Sequence, residues 1–181
     1  HHGLSESEAF LMEAGLIDSI VDLTNVVSGH GAIKGRSSLN ELIRRYGAQP
    51  IDSNACPAVL IRLGPWKKER MEIEKGIYRI GHGYREGMPL PEILDSTRAW
   101  WKIDPIRIKR QGIRHAVGVH EGVTRCVMEI GDWTRRLDGR RAFEGIPLTH
   151  GQVFEEWVGP FGKRVEFMSG IQNPILYWPF K

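Results

Sequence analysis

The clearest fold signal in the chain is the stretch HAVGVHEGVTRCVMEI, residues 115–130. Two runs rich in valine, residues 115–119 and 123–130, flank the connection His120-Glu121-Gly122. Strand-forming residues on both sides of a short, glycine-containing connection are typical of a β-hairpin. We therefore predict two antiparallel strands here, with the rest of the sheet built outward from them.

Further strands and short helices are predicted on both sides of this hairpin. Strand patterns cover residues 58–63, 76–80, 141–143, 163–168 and 174–178. Helix patterns cover 91–102, where Pro91 suits the first turn, and 149–158, where Thr149 and Gln152 form a capping box. The strands do not alternate regularly with helices, which argues against a doubly wound parallel sheet. The predicted fold class is α+β: a curved, mainly antiparallel sheet or small open barrel with short helices.

The N-terminal part of the chain has a helical pattern. Residues 6–28 carry apolar residues at helical spacing, residues 28–35 are rich in glycine, and a capping box at Ser38 begins a short helix that ends near Gly47. We predict a helical N-terminal segment over residues 4–47 and a β-rich α+β domain over residues 57–181. Residues 1–3 resemble the remnant of an affinity tag.

The composition excludes several classes of protein. The chain has 181 residues, of which 41% are hydrophobic and 26% charged, as in ordinary globular proteins. It has no run of 18 apolar residues and no signal-peptide pattern, so we expect no transmembrane helix. Cys56 and Cys126 are the only cysteines, which argues against a disulfide framework or a multi-cysteine zinc site and favours the cytoplasm. No cofactor is predicted.

The formal net charge of +3 conceals two segments of opposite charge. Residues 1–33 hold five acidic residues and no lysine or arginine, whereas residues 98–141 hold eleven basic residues against five acidic ones. Nine of those eleven are arginine, and three tryptophans lie in the same window. Guanidinium groups interleaved with aromatic rings are typical of nucleic-acid grooves. The same pattern also fits a solvated basic surface whose tryptophans pack in the core.

The predicted nucleic-acid contacts combine basic residues for phosphates, tryptophans for base stacking, and one asparagine for base edges. They are Arg98, Trp100, Trp101, Lys102, Arg110, Arg114, Trp133, Arg135, Arg136, Arg140, Arg141 and Asn173. Asn173 has an alternative role in turning the chain before Pro174. No catalytic residue and no metal ligand is assigned in this interpretation.

A series of short motifs over residues 90–178 carries a family resemblance. The motifs are TRAWWKI at 97–103, AVGVHEGVTR at 116–125, EIGDW at 129–133, FEG at 143–145, VG at 158–159 and QNPILY at 172–177. The series resembles an uncharacterised bacterial family of small β-rich domains, often found beside GIY-YIG-type nuclease or restriction-like modules. That resemblance implies a restriction or defence context but assigns no activity. By analogy the architecture is also similar to PUA-like folds, which include readers of modified or flipped bases.

Three functional hypotheses follow. The first is a non-catalytic nucleic-acid-binding module for DNA or RNA that reads a modified or flipped base. The second is a metal-dependent nuclease that uses His30, His82 and a carboxylate from Glu72, Glu74 or Glu86. The third is a protein-interaction domain that docks or self-associates through the acidic N-terminal helices.

Overall fold

The computed structural model describes residues 39–74, 76–166 and 172–180. The helices are α1 (Leu39–Gly47), α2 (Leu90–Arg98), α3 (Pro105–Arg110) and α4 (Gln152–Trp157). The strands are β1 (Gln49–Pro50), β2 (Ala58–Arg62), β3 (Lys67–Glu74), β4 (Ile77–His82), β5 (His115–His120), β6 (Val123–Arg135), β7 (Arg141–Leu148), β8 (Lys163–Arg164) and β9 (Ile175–Trp178). The chain divides after Ile43, and all these strands belong to the unit from Arg44 onward. The helix predicted over residues 6–28, and self-association through it, lie outside the described residues.

Seven strands form one sheet in the order β1-β8-β6-β5-β2-β9, with β7 also paired to β6. The pairs β2–β5 and β1–β8 are parallel, and the other pairs within this sheet are antiparallel. The sheet as described is open, with β1 and β9 at its edges, while β3 and β4 form a separate hairpin. The α+β prediction, with a strand-rich sheet and few short helices, is thereby confirmed.

The predicted central hairpin is present as β5 and β6. Its two-residue turn, Glu121 and Gly122, has φ angles of 47° and 76°, the left-handed backbone that tight hairpin turns require. β6 extends to Arg135 because a second partner, β7, continues the pairing from Val127↔Leu148 to Arg135↔Arg141. This extension places the β6–β7 turn at the opposite end of β6 from the β5–β6 turn.

The helix predicted over residues 91–102 ends at Arg98, which corrects its C-terminal boundary. Ala99 is extended, with φ of −149° and ψ of 149°. Trp101 then forms a β-bridge with Arg141 through two backbone hydrogen bonds of 2.9 Å. Pairing to the start of β7 therefore replaces the last turn of the predicted helix.

Both faces of the sheet are buried at its centre, around β2 and β5. Alternate residues of β2 point into two separate apolar clusters, with Val59 and Ile61 in one and Ala58 and Leu60 in the other. The first cluster includes residues of α2 and α3, and the second includes Trp157 of α4. Because the strands are covered on both sides, β2 is a continuous apolar run rather than an alternating one.

Gly118 allows α2 to approach the sheet closely. A Cβ atom at this position would lie 2.5 Å from Thr97 Oγ1 and 2.9 Å from Cys126 Sγ. Without that atom, the Thr97 hydroxyl lies 3.4 Å from the Cys126 thiol across the interface. The close approach packs the last turn of α2, which the two tryptophans follow, directly against the sheet. No helix within the described ranges has the length and apolar character needed to cross a membrane.

Candidate functional site

A cavity of about 430 Å³ lies where three segments meet. One wall is the β3–β4 hairpin, the second is the chain after α2, and the third is the turn between β6 and β7. None of these segments is close to another in sequence. The cavity is therefore a product of tertiary packing, and it unites residues from three different stretches.

Two adjacent indoles, Trp100 and Trp101, form the second wall. Trp100 is 6% exposed, and its Nε1–H donates to the Glu72 carbonyl at 3.0 Å. Trp101 is half-buried, and its Nε1–H donates to the Thr97 carbonyl at 2.8 Å. Since both ring nitrogens are hydrogen-bonded to backbone carbonyls, the indoles have fixed positions and present a rigid aromatic surface.

The β6–β7 turn supplies the third wall with two arginines and one carboxylate. The Arg136 guanidinium lies 5.5 Å from the centre of the Trp100 ring, within the range of a cation–π contact. Asp138 Oδ2 lies 4.0 Å from Arg136 Nε and 3.7 Å from Arg140 Nε. Arg140 also donates to the Trp100 carbonyl at 3.3 Å. One carboxylate therefore faces two guanidinium groups, and the turn keeps a positive charge.

The β3–β4 hairpin contributes Arg79, a buried cation. Its Nη1 donates to the carbonyls of Ala99 and, at 3.4 Å, of Asp95, and its Nη2 lies 3.3 Å from Met71 Sδ. Burial lowers the pKa of the Arg79 guanidinium, and the nearby carboxylates of Glu69 and Asp95 act in the opposite direction. Arg79 thus places a positive charge in a poorly solvated part of the cavity wall.

His82 and Glu69 complete this wall. His82 Nδ1 lies 3.0 Å from Glu69 Oε2, an ion-pair distance without the alignment of a hydrogen bond. Both side chains are partly exposed. The pair places a carboxylate beside the histidine, so that Glu69 is already engaged at the edge of the cavity.

Four of the predicted contact residues line this single cavity: Trp100, Trp101, Arg136 and Arg140. Three others contact protein groups close to it. Arg98 is paired with Asp95 at 2.9 Å, Arg141 donates to the Ile103 carbonyl at 2.9 Å, and Trp133 packs against Phe143 with ring centres 5.3 Å apart.

The remaining predicted residues do not line the cavity. Lys102, Arg110, Arg114 and Arg135 are exposed. Asn173 Oδ1 accepts a hydrogen bond of 3.0 Å from the Ile175 amide, which stabilises the turn before β9. This hydrogen bond fits the alternative role of Asn173 in turning the chain, and its contact with a base edge stays a prediction.

The described part of the chain shows no metal site of the kind that a metal-dependent nuclease needs. Within residues 39–74, 76–166 and 172–180, no group of three or more histidine, cysteine or acidic side chains is arranged to hold an ion. Glu72 Oε1 accepts a hydrogen bond of 2.8 Å from the Gly76 amide. His30 lies outside the described residues, so the part of the hypothesis that depends on it stays a prediction.

A second polar cluster surrounds Cys56, away from the cavity. The Cys56 thiol lies 3.6 Å from His115 Nδ1 and accepts a hydrogen bond of 3.2 Å from Trp157 Nε1. Burial raises the pKa of the Cys56 thiol, the Trp157 donor lowers it, and Glu156 raises it further. Burial also lowers the pKa of His115. Both groups are consequently neutral at neutral pH, which disfavours a preformed thiolate.

Cys56 is expected to alkylate more slowly than free cysteine at about pH 7.5, because the thiolate is the reactive form and the raised pKa makes it scarce. A Trp157→Phe variant keeps an aromatic ring but removes the N–H donor, so its rate profile should shift to still higher pH. Mass spectrometry after timed iodoacetamide treatment measures both rates, with buried Cys126 as the internal unreactive control. A native rate above that of free cysteine would contradict the raised pKa.

The chain matches no known family model, no curated protein and no solved structure. The family resemblance over residues 90–178 accordingly stays a prediction. The physical evidence on function is the geometry and charge of the cavity.

Proposed function

We propose that the chain is a nucleic-acid-binding module whose contact surface is centred on the cavity between the β3–β4 hairpin, Trp100 and Trp101, and the β6–β7 turn. One observation supports this most strongly: Trp100, Trp101, Arg136 and Arg140, separated by up to 40 residues in sequence, line one cavity. A merely solvated basic surface would not require the arginines to converge on the tryptophans.

The chemistry of the cavity walls fits a nucleotide. Arginine presents several N–H donors in a plane that matches phosphate oxygens, and indole rings offer flat apolar faces to a base. Because Trp100 is buried and Arg136 lies over its ring, the half-buried Trp101 is the indole available to a base. The proposed arrangement therefore places the base near Trp101 and phosphates near the arginines.

The size of the cavity favours single nucleotides over an intact duplex. Pockets for small ligands have volumes of about 300–1,000 Å³, and this cavity of about 430 Å³ lies at the lower end. A base can enter such a space from a single strand, or from a duplex after it has been flipped out. Recognition of a modified or flipped base in a restriction or defence context, and a relationship to PUA-like folds, are the finer parts of this proposal.

Exposed groups beside the cavity extend the basic surface. Lys102 follows the two tryptophans directly, and Arg135 precedes the turn that carries Arg136. Leu137 is fully exposed at the tip of the same turn. In this arrangement, neighbouring phosphates of a strand would contact Lys102 and Arg135 while one nucleotide occupies the cavity.

A binding screen tests the proposal. Fluorescently labelled single- and double-stranded DNA and RNA of one sequence are titrated at low and moderate salt. We expect the single strands to bind more tightly, and log affinity to fall with log salt with a slope of about −2.8, as for the four phosphate contacts of Lys102, Arg135, Arg136 and Arg140. A duplex with one unpaired base should bind more tightly than the perfect duplex. Absence of binding to all four forms, or an affinity independent of salt, would refute the proposal.

A further inference from the structure

Arg79 lines the cavity, and its guanidinium group is incompletely hydrogen-bonded among the described residues. The residue is 8% exposed, and its buried Nε–H has no hydrogen-bond partner in the described part of the chain. Its other guanidinium nitrogens contact only neutral acceptors, two backbone carbonyls and a thioether sulfur. Among the residues that the structure describes, no carboxylate is paired directly with this guanidinium.

Buried cations are normally paired with an anion and fully hydrogen-bonded, because an uncompensated buried charge destabilises the fold. Each of the two carboxylates near Arg79 lies closer to another side chain than to the Arg79 guanidinium. Glu69 lies 3.0 Å from His82, and Asp95 lies 2.9 Å from Arg98. Among the described residues, Arg79 therefore has no carboxylate bonded to it as an anionic partner.

The opposite wall adds two exposed guanidinium groups that share one carboxylate. Arg136 and Arg140 share Asp138 at 4.0 and 3.7 Å, distances longer than a direct hydrogen bond. Three guanidinium groups thus border one cavity, and no carboxylate is bonded to any of them at hydrogen-bond distance within the described residues. An anion with several acceptor oxygens could satisfy donors from both walls at once.

We infer that the Arg79 side of the cavity is a phosphate-binding subsite, which holds the phosphate of the nucleotide whose base lies near Trp101. Phosphate suits the position because its oxygens point in several directions, toward donors on different walls, whereas a base edge lies in one plane. The inference rests on the proposed function and adds the chemical group that lies on the Arg79 side of the site.

A matched pair of small ligands tests the subsite. Adenosine 5′-monophosphate and adenosine differ only in the phosphate, and both are titrated by calorimetry against the full chain. We expect the nucleotide to bind at least about tenfold more tightly, as a charge-assisted hydrogen bond to a guanidinium implies. Equal affinities, a preference for the nucleoside, or no binding of the nucleotide would overturn the subsite.

Variants test which residue causes the preference for adenosine 5′-monophosphate over adenosine. Arg79→Met removes the charge and the donors from a side chain of comparable length, and should abolish the tenfold difference. Arg79→Lys keeps the charge and should retain part of it. Arg44→Met, at an exposed arginine that neither lines the cavity nor belongs to the predicted contacts, is the matched control and should leave the difference unchanged. If Arg79→Met fails to fold by near-UV circular dichroism, the affinity ratio in the unaltered protein decides.

Oligonucleotides distinguish the source of the phosphate. Single strands of one sequence carry either a 5′-phosphate or a 5′-hydroxyl group. Tighter binding of the phosphorylated strand assigns the subsite to a strand end, and equal binding with the nucleotide preference intact assigns it to an internal phosphate. Salt-dependent strand binding with equal affinities for nucleotide and nucleoside would overturn the subsite alone. Nucleotide preference without any strand binding would overturn the proposed function alone.

Discussion

Alanine at both Arg136 and Arg140 is expected to weaken the binding of single-stranded nucleic acid by at least about tenfold. Each guanidinium lost removes a charge-assisted hydrogen bond to phosphate, and a contribution of about 1.4 kcal/mol corresponds to tenfold in affinity. The slope of log affinity against log salt should become shallower by about 1.4, since each contact to a single strand contributes about 0.7. Fluorescence anisotropy at three salt concentrations measures both quantities.

The matched control is the double variant Arg110→Ala plus Arg114→Ala. It removes the same charge from the same basic window, at exposed positions that do not line the cavity. We expect its affinity to stay within about threefold of the unaltered protein, an effect below 1 kcal/mol. Equal losses in the two double variants would show that general basic charge, rather than the cavity, determines binding.

Trp157→Ala is expected to lower the free energy of unfolding by about 3–5 kcal/mol, the cost typical of removing a large buried aromatic ring. Trp157 is 0% exposed and packs in the apolar cluster that contains Val117 and Val127. Its ring also meets Trp178 edge-on, with centres 6.0 Å apart. Since a domain has only about 5–15 kcal/mol of stability, this single change removes a large share.

Urea denaturation measures this loss, with Phe161→Ala as the aromatic control. Phe161 is 46% exposed, so its removal should cost less than about 1 kcal/mol. Nucleic-acid binding by the folded fraction of Trp157→Ala should be unchanged, because Trp157 does not line the cavity. A loss of stability no larger than that of Phe161→Ala would contradict the core assignment.

The central hairpin could be predicted because its signal is local. Both strands are rich in β-branched residues, and the two-residue turn that joins them carries its own glycine. α1 could be predicted for a similar reason, since its start and end are marked by capping residues within nine positions. Both elements could be predicted from the sequence alone because the residues that determine them are neighbours in the chain.

β3 could not be predicted because its alternating pattern has only two apolar residues, Met71 and Ile73, in an otherwise charged run. Its sequence KKERMEIE has charged residues on both faces of the strand. It is a strand because β4 pairs with it, and that pairing is a tertiary contact. The hairpin wall of the cavity, with Glu69 and Met71, was missed for this reason.

Arg79 was missed because the side chains of β4 point the opposite way from what their polarity predicts. A charged residue between apolar neighbours is normally expected to point toward solvent. Here Tyr78 and Ile80 are 48% and 60% exposed, whereas Arg79 is buried. The acceptors that make this tolerable are the carbonyls at the end of α2, and no local pattern could reveal them.

The basic window did identify residues of the candidate site, but it could not separate them from their neighbours. Trp101 and Arg141 meet because β7 returns along β6 and pairs with the chain after α2. That return brings Arg136 and Arg140 to the tryptophans and leaves Arg110 and Arg114 elsewhere. The density of basic residues along a sequence does not show which strands pair, and so it could not predict which arginines meet the tryptophans.

The most direct test of the cavity uses the six tryptophans as reporters. Their indole N–H resonances are recorded in a ¹⁵N correlation spectrum and assigned with single Trp→Phe variants. On titration with a single-stranded oligonucleotide, we predict shifts of the Trp100 and Trp101 signals and an unchanged Trp157 signal. Saturable binding that shifts only Trp66, Trp157 or Trp178, and leaves both cavity indoles in place, would contradict a binding site at the cavity.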